Sequence, residues 1–400
     1  MFRVRTIIIV CDTEFTARDY EREGIETLLS HGFGVEVWDT SRVVHPEVQN
    51  PNTSSVRFPG GIVHKKFIDR DEFAYAVRSL DSNALVLCNI AYYWSTLFLF
   101  RSLSRRNLRY AVRVTDTLPK ARRFSDPFTL EAPRRALYFI ANKLLLRFYS
   151  SLGVQPARFL LAGGETSCQS PLYPIDFQGG KTQLVPLHAL DYDTYLQVRD
   201  RDIPDGDAIA VFLDGNDFYH LDLRYMGQAV PSWIETYFSN LRAFFDHVEK
   251  ALGVRIVIAA HPLSQYTPAQ RACFGEREVI LGKTAELVKR CSFVIIHAST
   301  AVNLAILFQK PILFITDHNY ERYPPGPYIE AMAEELGKKP IYLDEPLTID
   351  WGRELAVDKA VYHSYRRSYI KMDGSPDLPI WEIFARFLQA GKETAEGTGE

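Results

Sequence analysis

Short apolar runs rich in Ile, Val, Leu and Ala recur along this chain, each closed by a polar or turn residue. In the first half they are Arg5–Cys11 (RTIIIVC), Val35–Thr40 (VEVWDT), Leu85–Ile90, Arg109–Val114 and Phe159–Ala162. Ala208–Leu213, Arg255–Ala260, Phe293–Ile296 and Ile312–Thr316 repeat the pattern in the second half. Runs this short and this uniformly apolar fit strands covered on both faces. Helical spacing fills the intervals, as in Ala17–His31 (ended by Gly32 and Gly34), Ser232–Leu252, Thr284–Arg290 and Ala301–Phe308. Strand and helix in alternation leave few solutions, and the simplest is a parallel sheet with helices on both faces.

A polar, turn-rich segment, Arg199–Asp207 (RDRDIPDGD), separates the two series. With 400 residues, and about 150 per domain, two or three domains are expected. The fold class predicted is α/β: two Rossmann-like domains, 1–200 and 206–355, facing each other across a cleft. C-terminal helices over 356–390 and a polar, frayed tail over 391–400 complete the chain. The halves share an architecture but no internal sequence repeat.

Lys and Arg number 46 against 49 Asp and Glu, a net charge of −3, which argues against a dedicated nucleic-acid binder. A hydrophobic content of 46% excludes global disorder. Cys11, Cys88, Cys168, Cys273 and Cys291 are scattered with no CxxC pair, so neither a disulfide framework nor a zinc site is expected, and a reducing cytosol fits. MFRVRTIIIVCDTEF does not read as a signal peptide. Ser82–Phe100 is uncharged over 19 residues, close to a bilayer span, but Asn89, Ser95 and Thr96 interrupt it. It reads better as a buried strand followed by an aromatic helix.

Charge is nonetheless uneven. Between Arg101 and Arg123 the only acid is Asp116, and Arg134, Arg135, Lys143 and Arg147 follow among apolar residues. A basic, apolar-faced helix suits an anionic membrane surface, and a core helix with a solvated basic edge shows the same pattern. The expected location is cytoplasmic, with peripheral attachment to the inner face of the cytoplasmic membrane through Arg101–Arg147.

Chemistry is expected at strand ends. In open α/β sheets ligands bind beyond the C-terminal ends of the strands. His261-Pro262 closes one strand, and Ser299-Thr300 follow another and open a helix. Hydroxyls and free backbone N–H groups there can hold a phosphate, and the histidine can donate to a second phosphate oxygen. The same serine and threonine can serve as a plain N-cap. Asp214-Gly215-Asn-Asp217 follows a third strand, and Asp217, His220 and Asp222 are further acid/base candidates in that segment. In the first half, Asp12, Glu14, Arg18 and Arg22 follow the first strand, whose loop faces the ligand end of the sheet, and His188 closes the half; these are the expected contacts of a second, acceptor molecule, and helix-surface salt bridges explain the same Arg/Asp/Glu mixture. The DxD spellings Asp191-Tyr-Asp193 and Asp205-Gly-Asp207 lie near the linker, and no cluster has metal spacing, so neither metal nor cofactor is expected.

The succession VFLDGND, His261-Pro262, Ser299-Thr300 and Lys310-Pro311 resembles the donor domain of GT-B glycosyltransferases. It is most similar to bacterial surface-polysaccharide transferases, including the CMP-sialic acid and CMP-Kdo enzymes, over roughly residues 205–350. Leu213 stands where the sialyltransferase motif often carries a second acid. The resemblance implies an inverting, metal-independent transfer from a nucleotide-sugar, a CMP-activated acidic sugar such as Kdo or sialic acid, to a surface polysaccharide or lipid-linked glycan. It implies Asp214 as base, His261 at the donor phosphate and Ser299 and Thr300 on that phosphate, with Gly215, Pro262 and Asn303 in the donor set. Alternatives on the same fold are a nucleotide-sugar epimerase or hydrolase, or a polyol-phosphate transferase such as those building teichoic acid. A further alternative is a non-catalytic sugar-binding subunit of an assembly complex.

Overall fold

The computed structural model describes residues 4–47, 62–121, 132–169, 172–204, 207–219, 230–262, 266–323 and 325–396. The described residues form two compact units. Unit 1 holds those up to Thr115, those from 132 to Leu190 and those from Met372 onward; unit 2 holds residues 116–121 and Asp191–Lys371.

Unit 1 is built on seven strands: β1 (Thr6–Cys11), β2 (Gly34–Asp39), β3 (Val63–Lys66), β4 (Ala84–Cys88), β5 (Arg109–Val114), β6 (Phe159–Ala162) and β7 (Gln183–Pro186). They lie in the order β3-β2-β1-β4-β5-β6-β7, every pair parallel. β1 shows why the sequence runs are apolar without alternation. Ile7, Ile9 and Cys11 enter the core on one face of the sheet, with Ala111 and Trp381. Ile8 and Val10 enter the core on the other, with Trp38, Phe73 and Phe100.

Unit 2 holds β8 (Ile209–Leu213), β9 (Arg255–Ala260), β10 (Val279–Leu281), β11 (Phe293–Ile296), β12 (Ile312–Thr316) and β13 (Ile341–Tyr342). Their order is β10-β9-β8-β11-β12-β13, again all parallel. The chain builds outward from β8 to β10 and then restarts on the other side at β11. That reversal makes the β8/β11 crevice the topological switch point, where ligands of open α/β sheets sit. In unit 1 the equivalent point lies between β1 and β4. The α/β class of two Rossmann-like units, the GT-B fold class, is what the chain adopts.

Several boundaries differ from the sequence reading. The helix expected over Ala17–His31 is two, Ala17–Arg22 and Ile25–Ser30. Gly24 between them is left-handed at φ 56°, and a Cβ there would sit 2.1 Å from Trp381 Cδ1. The Trp381 indole uses that space and donates to Arg22 O over 2.7 Å. The segment near residue 200 belongs to unit 2, because Lys289 Nζ donates to Val198 O (3.1 Å) and Arg199 O (2.8 Å). The C-terminal helices do not stand together either. Lys359–Tyr365 packs in unit 2, whereas the last helix, Ile380–Glu396, lays Ile380, Trp381, Phe384, Ala385 and Leu388 into the unit 1 core. That helix runs on to Glu396, past the point where fraying was expected. Residues 205–206 of the linker segment and 397–400 of the tail lie outside the described residues. Among the described residues, no helix is long and apolar enough to cross a membrane; Ser82–Phe100 forms β4 and the start of helix Leu97–Arg105.

Candidate functional site

The strand order of unit 2 sets β9, β8 and β11 side by side, so their C-terminal loops are neighbours along one sheet edge. His261 ends β9, Asp214 ends β8, and Ser299 and Thr300 follow β11. Two strand spacings put the outer loops about 10 Å apart. Asp214 N still bonds to Ala259 O at 3.2 Å, so the aspartate sits at the last rung of the ladder.

Tyr266 ties the first two loops together. Its hydroxyl donates to Asp214 Oδ2 and accepts from His261 N at 2.9 Å. The turn that follows Asp214 is tight. Asn216 is left-handed at φ 55° and donates its N–H to Asp214 Oδ1 at 3.2 Å. Gly215 has no room for a side chain, since a Cβ would lie 2.4 Å from Asp217 Oδ1.

Behind this turn lies a polar cluster. The Tyr320 hydroxyl donates to Asp217 Oδ2 at 2.5 Å. His297, directly after β11, is buried, and its Nδ1 stands 3.6 Å from the same oxygen with no closer partner. The Tyr237 hydroxyl meets His297 Nε2. A neutral phenol donates there, so the ring proton belongs on Nδ1, facing Asp217. The rings of His297 and Tyr320 stack at 4.6 Å. Tyr320 is itself placed by the loop after β12, where Asp317 Oδ1 accepts from Asn319 N (2.8 Å) and Tyr320 N (2.7 Å). Asp214, Asp217, Tyr237, Tyr266 and His297 line one narrow pocket.

Burial dominates the electrostatics. It pushes the Asp217 carboxyl up to about 7, opposed by the Tyr320 hydrogen bond and reinforced by the charge of Asp214. It raises Asp214 as well, against the hydrogen bonds from Tyr266 and Asn216. It drives the His297 imidazole down to about 3. The site therefore keeps a neutral histidine beside a carboxyl that titrates near neutrality.

The structure brings Asp214, Gly215 and His261 together, and seats Ser299 and Thr300 two strands from His261. His261, Ser299 and Thr300 stand outside the lining of the narrow pocket. Ser299 Oγ accepts from Ala301 N at 3.2 Å, a capping turn that leaves its O–H able to donate. Pro262 is exposed.

Two expected contacts are corrected. Asn303 is buried, 2% exposed, and its Nδ2 donates to Asp191 Oδ2 at 3.0 Å, so its amide braces unit 2 instead of facing a donor. That bond also commits the first acid of the Asp191-Tyr-Asp193 spelling. His188 is fully buried, with Nδ1 3.1 Å from Ala189 O and Nε2 2.8 Å from Leu378 O; it is a core histidine of unit 1, not an acceptor contact. His220 and Asp222 lie outside the described residues.

In unit 1, Asp12 and Glu14 follow β1 at the switch point, Asp12 3.6 Å from His45 Nε2 and Glu14 3.3 Å from Lys66 Nζ. Arg18 and Arg22 lie on the next helix, half-buried. Among the described residues, no group of three or more His, Cys, Asp or Glu is placed to hold a metal. Sequence reasoning missed His297, Tyr237, Tyr266 and Tyr320. His297 carried a signal, standing two residues before Ser299, but the three tyrosines carried none.

No protein-family model matches the sequence. No curated protein matches it. Among solved structures, the chain is similar to the wall teichoic acid polymerase TagF, H548A, with 12% identity, a TM-score of 0.51, and 99% of this chain and 90% of that one covered. It is also similar to Phytolacca americana UGT2 complexed with UDP-2fluoro-glucose and pterostilbene (10% identity, TM-score 0.47, 99% and 95% covered). CalG4, the calicheamicin glycosyltransferase, shows 14% identity and a TM-score of 0.46, with 100% of both chains covered. At these identities the likeness is one of fold.

Proposed function

We propose that the chain is a group transferase that takes a sugar from a nucleotide-activated donor. The best candidate donor is a CMP-linked acidic sugar such as Kdo or sialic acid, and the acceptor a growing surface polysaccharide or lipid-linked glycan. The observation that carries this reading is the row of loops after β9, β8 and β11, where Asp214 and Ser299-Thr300 flank the switch point and His261 stands at the next strand end.

In this reading Asp214 takes the proton of an acceptor hydroxyl, whose oxygen bonds to the anomeric carbon as the bond from that carbon to the donor phosphate breaks. Burial raises the basicity of Asp214 above that of a free carboxylate. The electron pair leaves on the phosphate oxygen, where His261 and the Ser299 and Thr300 hydroxyls donate to the developing charge. Asp12, Glu14, Arg18 and Arg22 form the acceptor set at the unit 1 switch point. No step draws on a metal, so turnover persists in EDTA.

A second reading is polyol-phosphate transfer, in which the acceptor oxygen attacks phosphorus and CMP leaves. The likeness that reaches a TM-score of 0.51 is to a wall teichoic acid polymerase, and that favours keeping it. Incubation with CMP-, UDP- and CDP-linked donors, followed by mass spectrometry of the product, separates the two. A product that gains a sugar without phosphorus supports glycosyl transfer. A product that gains a phosphodiester supports the second reading, and no product from any donor contradicts both.

A further inference from the structure

Helix Ala132–Arg147 and the residue after it, Phe148, carry apolar residues on a buried face and on an exposed face beside it. Leu145 is buried in the unit 1 core and Leu146 packs against it. Leu137, Ile140, Leu144 and Phe148 are 68%, 53%, 49% and 50% exposed. Their spacing sets them in one row along the helix, about a quarter turn around its axis from Leu145. Single exposed apolar residues are ordinary on a protein surface, but a continuous row of four marks an interaction surface.

The charge around the row has one sign. Leu97–Thr115 contains five arginines and no acid, and Ala132–Pro156 contains three arginines, one lysine and no acid, in a chain whose net charge is −3. The two stretches pack together: Arg101 Nε donates to Leu152 O at 2.6 Å, and Gln155 N donates to Ser104 Oγ at 2.8 Å. Lys143 and Arg147 are exposed along one flank of the row, and Arg105 and Arg106 are exposed at the end of the neighbouring helix.

We propose that this face docks on an anionic lipid bilayer, with Leu137, Ile140, Leu144 and Phe148 entering the acyl boundary and the basic side chains meeting the headgroups. Apolar area and anion attraction act together there, which is the physical basis of interfacial helix binding. The helix has 16 residues, fewer than the roughly 20 a span needs, so it lies along the surface. A second copy of the same face would set cation against cation. A nucleic-acid backbone would leave the apolar row in water. The proposal stands apart from the donor site and is read out without turnover.

The test is co-sedimentation of the full chain with vesicles of phosphatidylcholine alone, or mixed with phosphatidylglycerol, at low and high salt. The wild type pellets with the mixed vesicles, not with phosphatidylcholine alone, and salt weakens the binding. Ile140→Glu with Leu144→Glu abolishes pelleting. Lys143→Glu with Arg147→Glu lowers the partition coefficient about tenfold or more. All four positions are exposed, so both double variants keep the wild-type melting temperature. Three results overturn the proposal: no binding of the wild type to mixed vesicles, equal binding to neutral and anionic vesicles, or wild-type binding by either double variant. So does a wild-type dimer that Ile140→Glu with Leu144→Glu dissolves, or RNA binding in place of vesicle binding.

Discussion

The Tyr320 hydroxyl donates to the Asp217 carboxylate over 2.5 Å and so joins the loop after β12 to the loop after β8. His297 approaches the same carboxylate oxygen from the loop after β11. Three strand ends of unit 2 are thus held by one largely buried carboxyl, and the position of Asp214, three residues earlier, depends on it. Tyr320→Phe removes the donor and leaves the carboxyl buried. Urea unfolding is expected to show a loss of about 1–3 kcal/mol. Wild-type stability in that variant would mean the tyrosine does not hold the loop.

Asp217 and His297 make opposite contributions to stability against pH. Folding raises Asp217 from 3.8 to about 7, so the folded chain holds that proton more tightly and the contribution is lost as pH rises through this window. Folding lowers His297 from 6.5 to about 3, so its contribution is lost as pH falls through that window. From about pH 4 to 6.5 the two oppose one another. Relative to the wild type, Asp217→Asn is expected to gain stability as pH rises across the window, and His297→Gln to lose it. Unfolding midpoints at several pH values read both slopes, and slopes of the same sign would contradict the pairing.

Gly24 is occupied by conformation and by space. Gly24→Ala meets a left-handed φ of 56° and the Trp381 ring, whereas Gly32→Ala meets a φ of 79° with open space around it. Gly32→Ala is expected to cost about 1–2 kcal/mol, the left-handed penalty alone. Gly24→Ala is expected to cost more, because the last helix must shift. Equal losses in thermal unfolding would mean that Trp381 yields without cost.

His261 contacts the site through its backbone, and in the proposed mechanism its ring faces the donor. His261→Ala is expected to lower kcat roughly a hundredfold, in line with removal of one oxyanion donor. The melting temperature stays put, because the ring is half-buried at a strand end. Unchanged turnover would remove the imidazole from the reaction.

The nine apolar runs in the sequence correspond to the interior strands β1, β2, β4, β5, β6, β8, β9, β11 and β12. The four strands without such a run, β3, β7, β10 and β13, are the four sheet edges. An edge strand is covered less and has fewer ladder partners, so sequences such as VHKK carry little apolar signal. The site divides in the same way. Asp214 and His261 are legible because each directly follows an interior strand, and Ser299 because it stands between the end of β11 and the helix that follows. Tyr237 comes from the N-terminal end of helix Ile234–Leu252 and Tyr266 and Tyr320 from the segments after β9 and β12, and only the fold brings them to the carboxylates. Asn303 and His188 looked like ligand contacts because polarity shows in a sequence and burial does not.

The central claim is that the strand-end loops of unit 2 grip the phosphate of a nucleotide. Isothermal titration of CMP, CDP, UDP and GDP into the wild type, and into a variant carrying Ser299→Ala with Thr300→Val, tests it most directly. One nucleotide is expected to bind the wild type at one site per chain, and at least about tenfold more weakly to the variant, as loss of phosphate hydrogen bonds requires. Failure of all four to bind the wild type, or equal binding to both proteins, would contradict the account.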